Sequence, residues 1–168
     1  MNDWKKIVML DIDSVVNSET WYAKTKGRSG DFDPEAIALL NQLEPYGVEV
    51  VISSSWGEDA IKPLKDVGLR LPIIGCTKKL HYKFEWACRG NEIDFWLTSH
   101  YGGMTTAYGD AYRQHYHPED TDYEYVIFDD DADMLLGQKN NFIQTNRQTG
   151  LTQADIDKAI KILTRETL

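Results

Sequence analysis

The chain has 168 residues, enough for one domain with a proper hydrophobic core. Hydrophobic residues make up 42% and charged residues 27%, and the formal net charge is −9. That balance disfavours charge-driven binding along extended duplex nucleic acid and leaves room for a small phosphorylated ligand. No stretch approaches the roughly 20 consecutive apolar residues of a membrane span. Met1-Asn2-Asp3-Trp4-Lys5-Lys6 carries no apolar signal segment, so the expected location is cytoplasmic, with Cys76 and Cys88 as reduced thiols.

The first apolar run, Ile7-Val8-Met9-Leu10, reads as a buried strand and ends in Asp11-Ile12-Asp13. Carboxylates two residues apart on a strand point to the same side. Like charges forced together need a proton or a cation to neutralise them. A hard divalent cation such as Mg2+ suits oxygen ligands. The polar stretch that follows holds Trp21, Tyr22, Lys24, Lys26 and Arg28. It is too long for a tight connection and predicts a flap or partial cap over 17–31. Trp21 and Tyr22 either stack on a nucleobase or fill the gap beneath that flap.

Asp33 as N-cap and Pro34 at the first helical position open a helix whose apolar face is Ile37, Leu40 and Leu43. Gly47 stops it. A strand over Val48 to Ile52 runs into Ser53-Ser54-Ser55-Trp56, and a helix follows through Leu64 and Lys65. Pro72 to Gly75 reads as a short strand. Lys78, Lys79 and Lys83 form a basic cluster that either draws in a phosphorylated substrate or is solvated surface. A helix is expected over Gly90 to Leu97, with Ile93, Trp96 and Leu97 inward; Trp56 and Trp96 read as core. Residues 98–122 show no clear period and predict a surface excursion. His100, His115 and His117 lack close ligand spacing and read as solvated.

The rhythm then resumes. Tyr125 to Phe128 is a strand ending in Asp129-Asp130-Asp131. A short helix is expected over Ala132 to Leu136, capped by Asp131 and Asp133. Phe142 to Gln144 is a last strand. Thr152 and Asp155 form a capping box for a final helix that buries Ile156, Ala159, Ile160 and Leu163. No repeat or linker divides the chain, so 1–168 reads as a single domain. Strands alternating with helices predict an α/β fold, a parallel sheet with helices on both faces.

In such a sheet ligands bind outside the carboxyl ends of the strands. Asp11, Asp13, the serine run and Asp129 to Asp131 all fall at such ends. Asp11 beside Mg2+ can attack phosphorus. Asp13 can protonate the leaving oxygen and later take a proton from water. A serine hydroxyl can hold a phosphate oxygen, and Arg89 or Lys83 can balance the charge. Asp130 would complete the metal site, with Asp129 supporting it from behind.

These residues resemble a known family. Asp11-Ile12-Asp13-Ser14-Val15-Val16-Asn17 is similar to the first motif of the haloacid dehalogenase-like (HAD) phosphohydrolases. Ile52-Ser53-Ser54-Ser55-Trp56 is similar to their second motif, and Tyr125-Val126-Ile127-Phe128-Asp129-Asp130 to the fourth. Phe32-Asp33-Pro34-Glu35-Ala36 and Arg89-Gly90-Asn91-Glu92-Ile93 resemble the branch found in Swiss Army knife RNA-repair proteins. The resemblance implies a three-layer Rossmann-like fold with a minimal cap. It implies Asp11 as nucleophile and Asp13 as general acid/base. Asp11, the Asp13 backbone carbonyl and Asp130 would hold Mg2+. Ser54 would bind phosphate, with Ser53 as fallback and Ser55 beside them. Arg89 stands where lysine is more usual in the third motif, so Arg89 and Lys83 both remain candidates there. Ser14 stands where glycine or threonine is common.

The implied activity is Mg2+-dependent phosphomonoester hydrolysis through an aspartyl-phosphate. The substrate would be a nucleotide, another small phosphorylated molecule or a nucleic-acid end. The alternative is a non-catalytic phosphate- or nucleotide-binding module. A receiver domain needs its acceptor aspartate on a later strand, where this chain has Ser53 to Ser55. A Toprim-type nuclease needs a glutamate on an earlier strand, and only Met1 to Lys6 precede the first.

Overall fold

The computed structural model describes residues 4–26, 32–80, 85, 87–101 and 123–165. Five strands form one parallel sheet: β1 (Lys5–Leu10), β2 (Val48–Ile52), β3 (Ile73–Cys76), β4 (Tyr123–Asp129) and β5 (Phe142–Gln144), in the order β3-β2-β1-β4-β5. β1 is central, and its Ile7 to Leu10 are fully buried. A parallel strand covered on both faces needs such an uninterrupted apolar run.

Alternate side chains of the sheet serve two layers. Val8, Leu10, Val50, Ile52, Val126 and Phe128 pack with the buried faces of α2 (Pro34–Leu40), α3 (Ile61–Val67) and α5 (Gln153–Thr164). Ile7, Met9, Val51 and Ile127 pack against Ile93, Trp96 and Leu97 of α4 (Arg89–Tyr101). The chain is therefore a three-layer, Rossmann-like α/β fold.

Local signals set the helix ends. Asp33 caps α2 by accepting the Glu35 N–H, and Pro34 occupies the first turn. The expected helix does not continue to Gly47 as one piece. It tightens to a 3-10 helix over Asn41–Tyr46, because Pro45 lacks the N–H that an α-turn would use, and Gly47 then reverses the chain at φ 69°. Thr152 and Asp155 form the expected capping box of α5. The flap region contains a short helix, α1 (Glu19–Thr25), capped by Ser18 and burying no side chain.

The expected short helix over Ala132 to Leu136 is absent. Residues 132–135 form no regular element, and a 3-10 helix over Leu136–Asn141 follows. The physical reason is that Asp133 caps a different helix. Its Oδ2 accepts the Arg89 N–H at 3.0 Å and its backbone carbonyl accepts the Gly90 N–H at 3.2 Å, so it closes the start of α4. Gln138 completes the joint, donating to the Gly90 carbonyl and accepting from the Leu135 N–H, both at 2.9 Å. Asp131 pairs instead with Arg147 at 2.5 Å.

His100 stacks on Trp96 with ring centroids 3.9 Å apart. His115, His117, Lys83 and the excursion beyond residue 101 lie outside the described residues. Among the described residues no helix is long and apolar enough to cross a membrane. Cys76 and Cys88 are free thiols.

The α4 joint leaves no room at Gly90. A Cβ there would lie 2.5 Å from the Leu135 nitrogen and 2.7 Å from Gln138 Oε1. Gly90→Ala is expected to cost about 1–3 kcal/mol by overpacking, read as a lower urea midpoint with an unchanged slope.

On the same helix Asp94 has a buried Oδ2 without a hydrogen-bond partner among the described residues, and burial pushes its carboxyl up to about 6 from 3.8. A carboxyl raised on folding binds more protons in the native state, so this group costs stability as pH rises from about 4 through 6 and costs nothing below that window. Asp94→Asn is expected to raise the melting temperature at pH 8 and to leave it unchanged at pH 3.5. An equal gain at both pH values would contradict this account.

Candidate active site

Strand register assembles the site. Leu10 pairs with Ile52 on one side and with Phe128 on the other. The next residues, Asp11, Ser53 and Asp129, must then emerge side by side at the carboxyl edge. Backbone bonds hold them level: the Asp11 N–H donates to the Phe128 carbonyl at 2.9 Å and the Ser53 N–H to the Leu10 carbonyl at 2.8 Å.

Asp11, Asp129 and Asp130 each present a carboxylate oxygen, and the three oxygens lie within 4.8 Å of one another. Asp11 is 7% exposed and Asp129 3%. Burial pushes Asp11 up to about 6 from 3.8, against the downward pull of the Ser54 hydroxyl, the Ile12 N–H and Arg89. Burial and then the Asp11 charge push Asp129 up to about 8, opposed by the Asp131 N–H and Arg89. Burial is the chief cause of both shifts, so ionising the pair is costly without a bound cation. An all-oxygen donor set of this kind fits a hard divalent cation.

Two guanidinium groups flank the cluster. Arg89 opens α4, with Nε 3.7 Å from Asp129 Oδ2 and Nη1 3.1 Å from Glu92 Oε2. Glu92 is itself buried and accepts the Leu80 N–H at 2.8 Å, tying the chain after β3 to Arg89. Arg147, in the turn after β5, places Nε 2.7 Å from Asp130 Oδ2. Its turn is bound to the flap, since the Glu19 N–H donates to the Arg147 carbonyl at 3.0 Å.

Asp13 has different company. β1 ends at Leu10, so the strand period does not carry through to Asp13, and its carboxylate is not one of the clustered three. Oδ1 accepts the Asn17 amide at 2.9 Å and Oδ2 accepts the Trp56 indole N–H at 3.0 Å. The Asn17 amide also donates to the Tyr22 hydroxyl at 2.7 Å. Tyr22 belongs to this polar network. Burial and the Asp13 charge push its phenol up, so it stays protonated.

Of the serines, Ser54 lies beside Asp11 and its Oγ accepts the Trp56 N–H at 3.4 Å. Ser53 is buried with a hydroxyl that has no hydrogen-bond partner among the described residues, and Ser55 is exposed. Ser55, Lys79, Arg89, Glu92 and Asp133 line a cavity of about 250 Å³ next to the acidic cluster.

Asn17 and Glu92 lie in the motif-like stretches with no role read for them, and Asp133 and Arg147 carry no signal in the sequence that marks them as site residues. Trp56 reads as core, yet it is half-buried and spends its N–H on Asp13.

No curated protein matches the chain. The profile of the HAD domain in Swiss Army Knife RNA repair proteins matches residues 7–156, from the first buried residue of the central strand to the first buried residue of the last helix. That match spans the strand ends carrying all the acidic and serine residues above, and the chain belongs to this family of HAD domains.

Proposed function

We propose that the protein is a Mg2+-dependent phosphomonoesterase that works through an aspartyl-phosphate on a nucleotide or a nucleic-acid end phosphate. The observation that carries this reading is the meeting of Asp11, Asp129 and Asp130 within 4.8 Å at the edge of the sheet. The family match supports it.

The carboxylates of Asp11 and Asp130, with the Asp13 backbone carbonyl, would hold the ion. Asp129 suits a supporting role, because its Oδ1 already accepts the Asp131 N–H at 2.9 Å and its Oδ2 faces Arg89. A bound divalent cation supplies charge neutralisation between nucleophile and phosphate. Asp11 attacks phosphorus, forming a P–O bond as the ester P–O bond breaks. The departing oxygen takes the proton carried by Asp13. Water then attacks the aspartyl-phosphate, Asp13 takes its proton, and Asp11 is restored with release of inorganic phosphate.

Ser54, with Ser53 and Ser55 near it, supplies hydroxyls for the non-bridging oxygens, and Arg89 adds positive charge. The cavity beside Arg89 and Lys79 offers a place for the rest of the substrate. Among the described residues the helix α1 buries no side chain. A site with a minimal cap would admit a polymer end as readily as a small molecule. The net charge of −9 speaks against tracking along a duplex.

The test is a phosphate-release screen over nucleotides, sugar phosphates and 3′- or 5′-phosphorylated oligonucleotides, run with Mg2+ and with chelator. Asp11→Asn is expected to lower turnover by more than about 10³-fold while circular dichroism stays native. Chelation should abolish release and added Mg2+ should restore it. Release by Asp11→Asn at the wild-type rate would remove the nucleophile and the reading with it.

A further inference from the structure

Trp56 stands at the end of the serine run, and its indole points back across the site to Asp13. The contact joins residues 43 apart in sequence, at 3.0 Å, on the Oδ2 atom. Its counterpart on Oδ1 is the Asn17 amide at 2.9 Å. Each oxygen of Asp13 thus receives one N–H from a different element, one after β2 and one at the start of the flap.

Both donors are held in place. Asn17 is 1% exposed, and its own Oδ1 accepts the Ser14 N–H at 2.9 Å. The Trp56 ring meets the buried Phe32 edge to face, with centroids 5.4 Å apart. The indole N–H is a donor only and does not titrate at working pH. It can therefore orient a carboxyl without competing for the proton that the carboxyl moves. The Tyr22 hydroxyl also hydrogen-bonds to Asp13; a carboxylate offers about four lone-pair sites, so these three partners do not block proton exchange with a substrate.

We propose that Trp56 is a positioning residue: its indole N–H, acting with the Asn17 amide, fixes the Asp13 carboxyl toward the leaving oxygen during ester cleavage. This rests on the phosphomonoesterase reading above. In that step the Asp11 oxygen bonds to phosphorus, the ester P–O bond breaks, and the Asp13 proton passes to the departing oxygen. A poor leaving group needs the proton and a good one does not. Misaiming Asp13 must therefore slow alkyl esters and spare activated aryl esters.

The experiment measures single-turnover release of the leaving alcohol, with the full chain in excess. It uses a ribonucleoside 5′-monophosphate and p-nitrophenyl phosphate. Trp56→Phe removes the donor and keeps a ring against Phe32. A second variant replaces the Trp56 indole by benzothiophene, which keeps the bicyclic shape without the N–H. Both are expected to slow the alkyl ester by about 10- to 100-fold, a part of the roughly 10²–10⁴-fold that a general acid contributes, and the aryl ester by less than about threefold. KM should hold. In an Asp13→Asn background the same changes at Trp56 should add nothing, as for two residues acting through one group.

Equal losses on both esters, or none on either, would overturn the positioning role and leave the hydrolase reading intact. So would an undiminished effect in the Asp13→Asn background. No release by the wild-type chain from either ester, where Mg2+ is present, would overturn both.

Discussion

Parallel pairing of β1 with β4 holds Leu10 opposite Phe128, and that single register forces Asp11 and Asp129 into one buried corner. Nothing local to either residue favours this. The apolar runs before them are what the core needs, and a one-residue slip would turn every buried side chain of a strand to the wrong layer. The sheet's hydrophobic stability therefore pins two carboxylates together that would separate if free. Burial, the chief cause, raises their affinity for protons, to about 6 for Asp11 and about 8 for Asp129, and the Asp11 charge adds to the shift at Asp129. A corner built at such electrostatic cost is suited to a ligand that carries positive charge.

The rest of the site manages that charge from a distance. Arg89 comes from the start of a helix whose first turn is closed by Asp133, a residue of the loop after β4. The segment that supplies the acidic cluster thus also places its cation. Arg147 reaches Asp130 from the turn after β5, and the same turn carries the flap through the Glu19 N–H. A change at the flap has a short covalent and hydrogen-bonded route to the third carboxylate. Both guanidinium groups are fixed donors that cannot lose their charge, which suits a site whose carboxylates sit near their protonation limit.

Much of this was legible in the chain and some was not, for physical reasons. The strands declared themselves because burial on both faces demands unbroken apolar runs, as in Ile7 to Leu10. Asp33 and Thr152 declared helix starts because their hydrogen bonds close within three residues. Asp133 misled because its cap is 44 residues away in sequence, on α4, so a helix expected beside it never forms. Arg147 was silent because an ion pair between separate segments leaves no periodic trace, and Glu92 because its hydrogen bond to the Leu80 N–H comes from outside its own helix. Trp56 looked like core because an indole is mostly apolar, and only its N–H direction separates packing from positioning.

The two aspartates of the first motif illustrate how tertiary structure divides what sequence places together. In the proposed reaction Asp11 and Asp13 have different tasks, and the two carboxyls have different surroundings. The chain separates them by leaving the strand at Leu10 and turning at Ser14, which takes a left-handed φ of 61°. For a residue with a Cβ that conformation costs about 1–2 kcal/mol. Three hydrogen bonds offset it: the Ser14 N–H reaches the Asn17 side chain and carbonyl, and Thr145 Oγ1 donates to the Ser14 carbonyl at 3.1 Å. Asn17 thereby both secures the turn and holds Asp13. One buried amide thus secures both the strained turn and the Asp13 carboxyl, while the first aspartate stays with the sheet and its acidic neighbours.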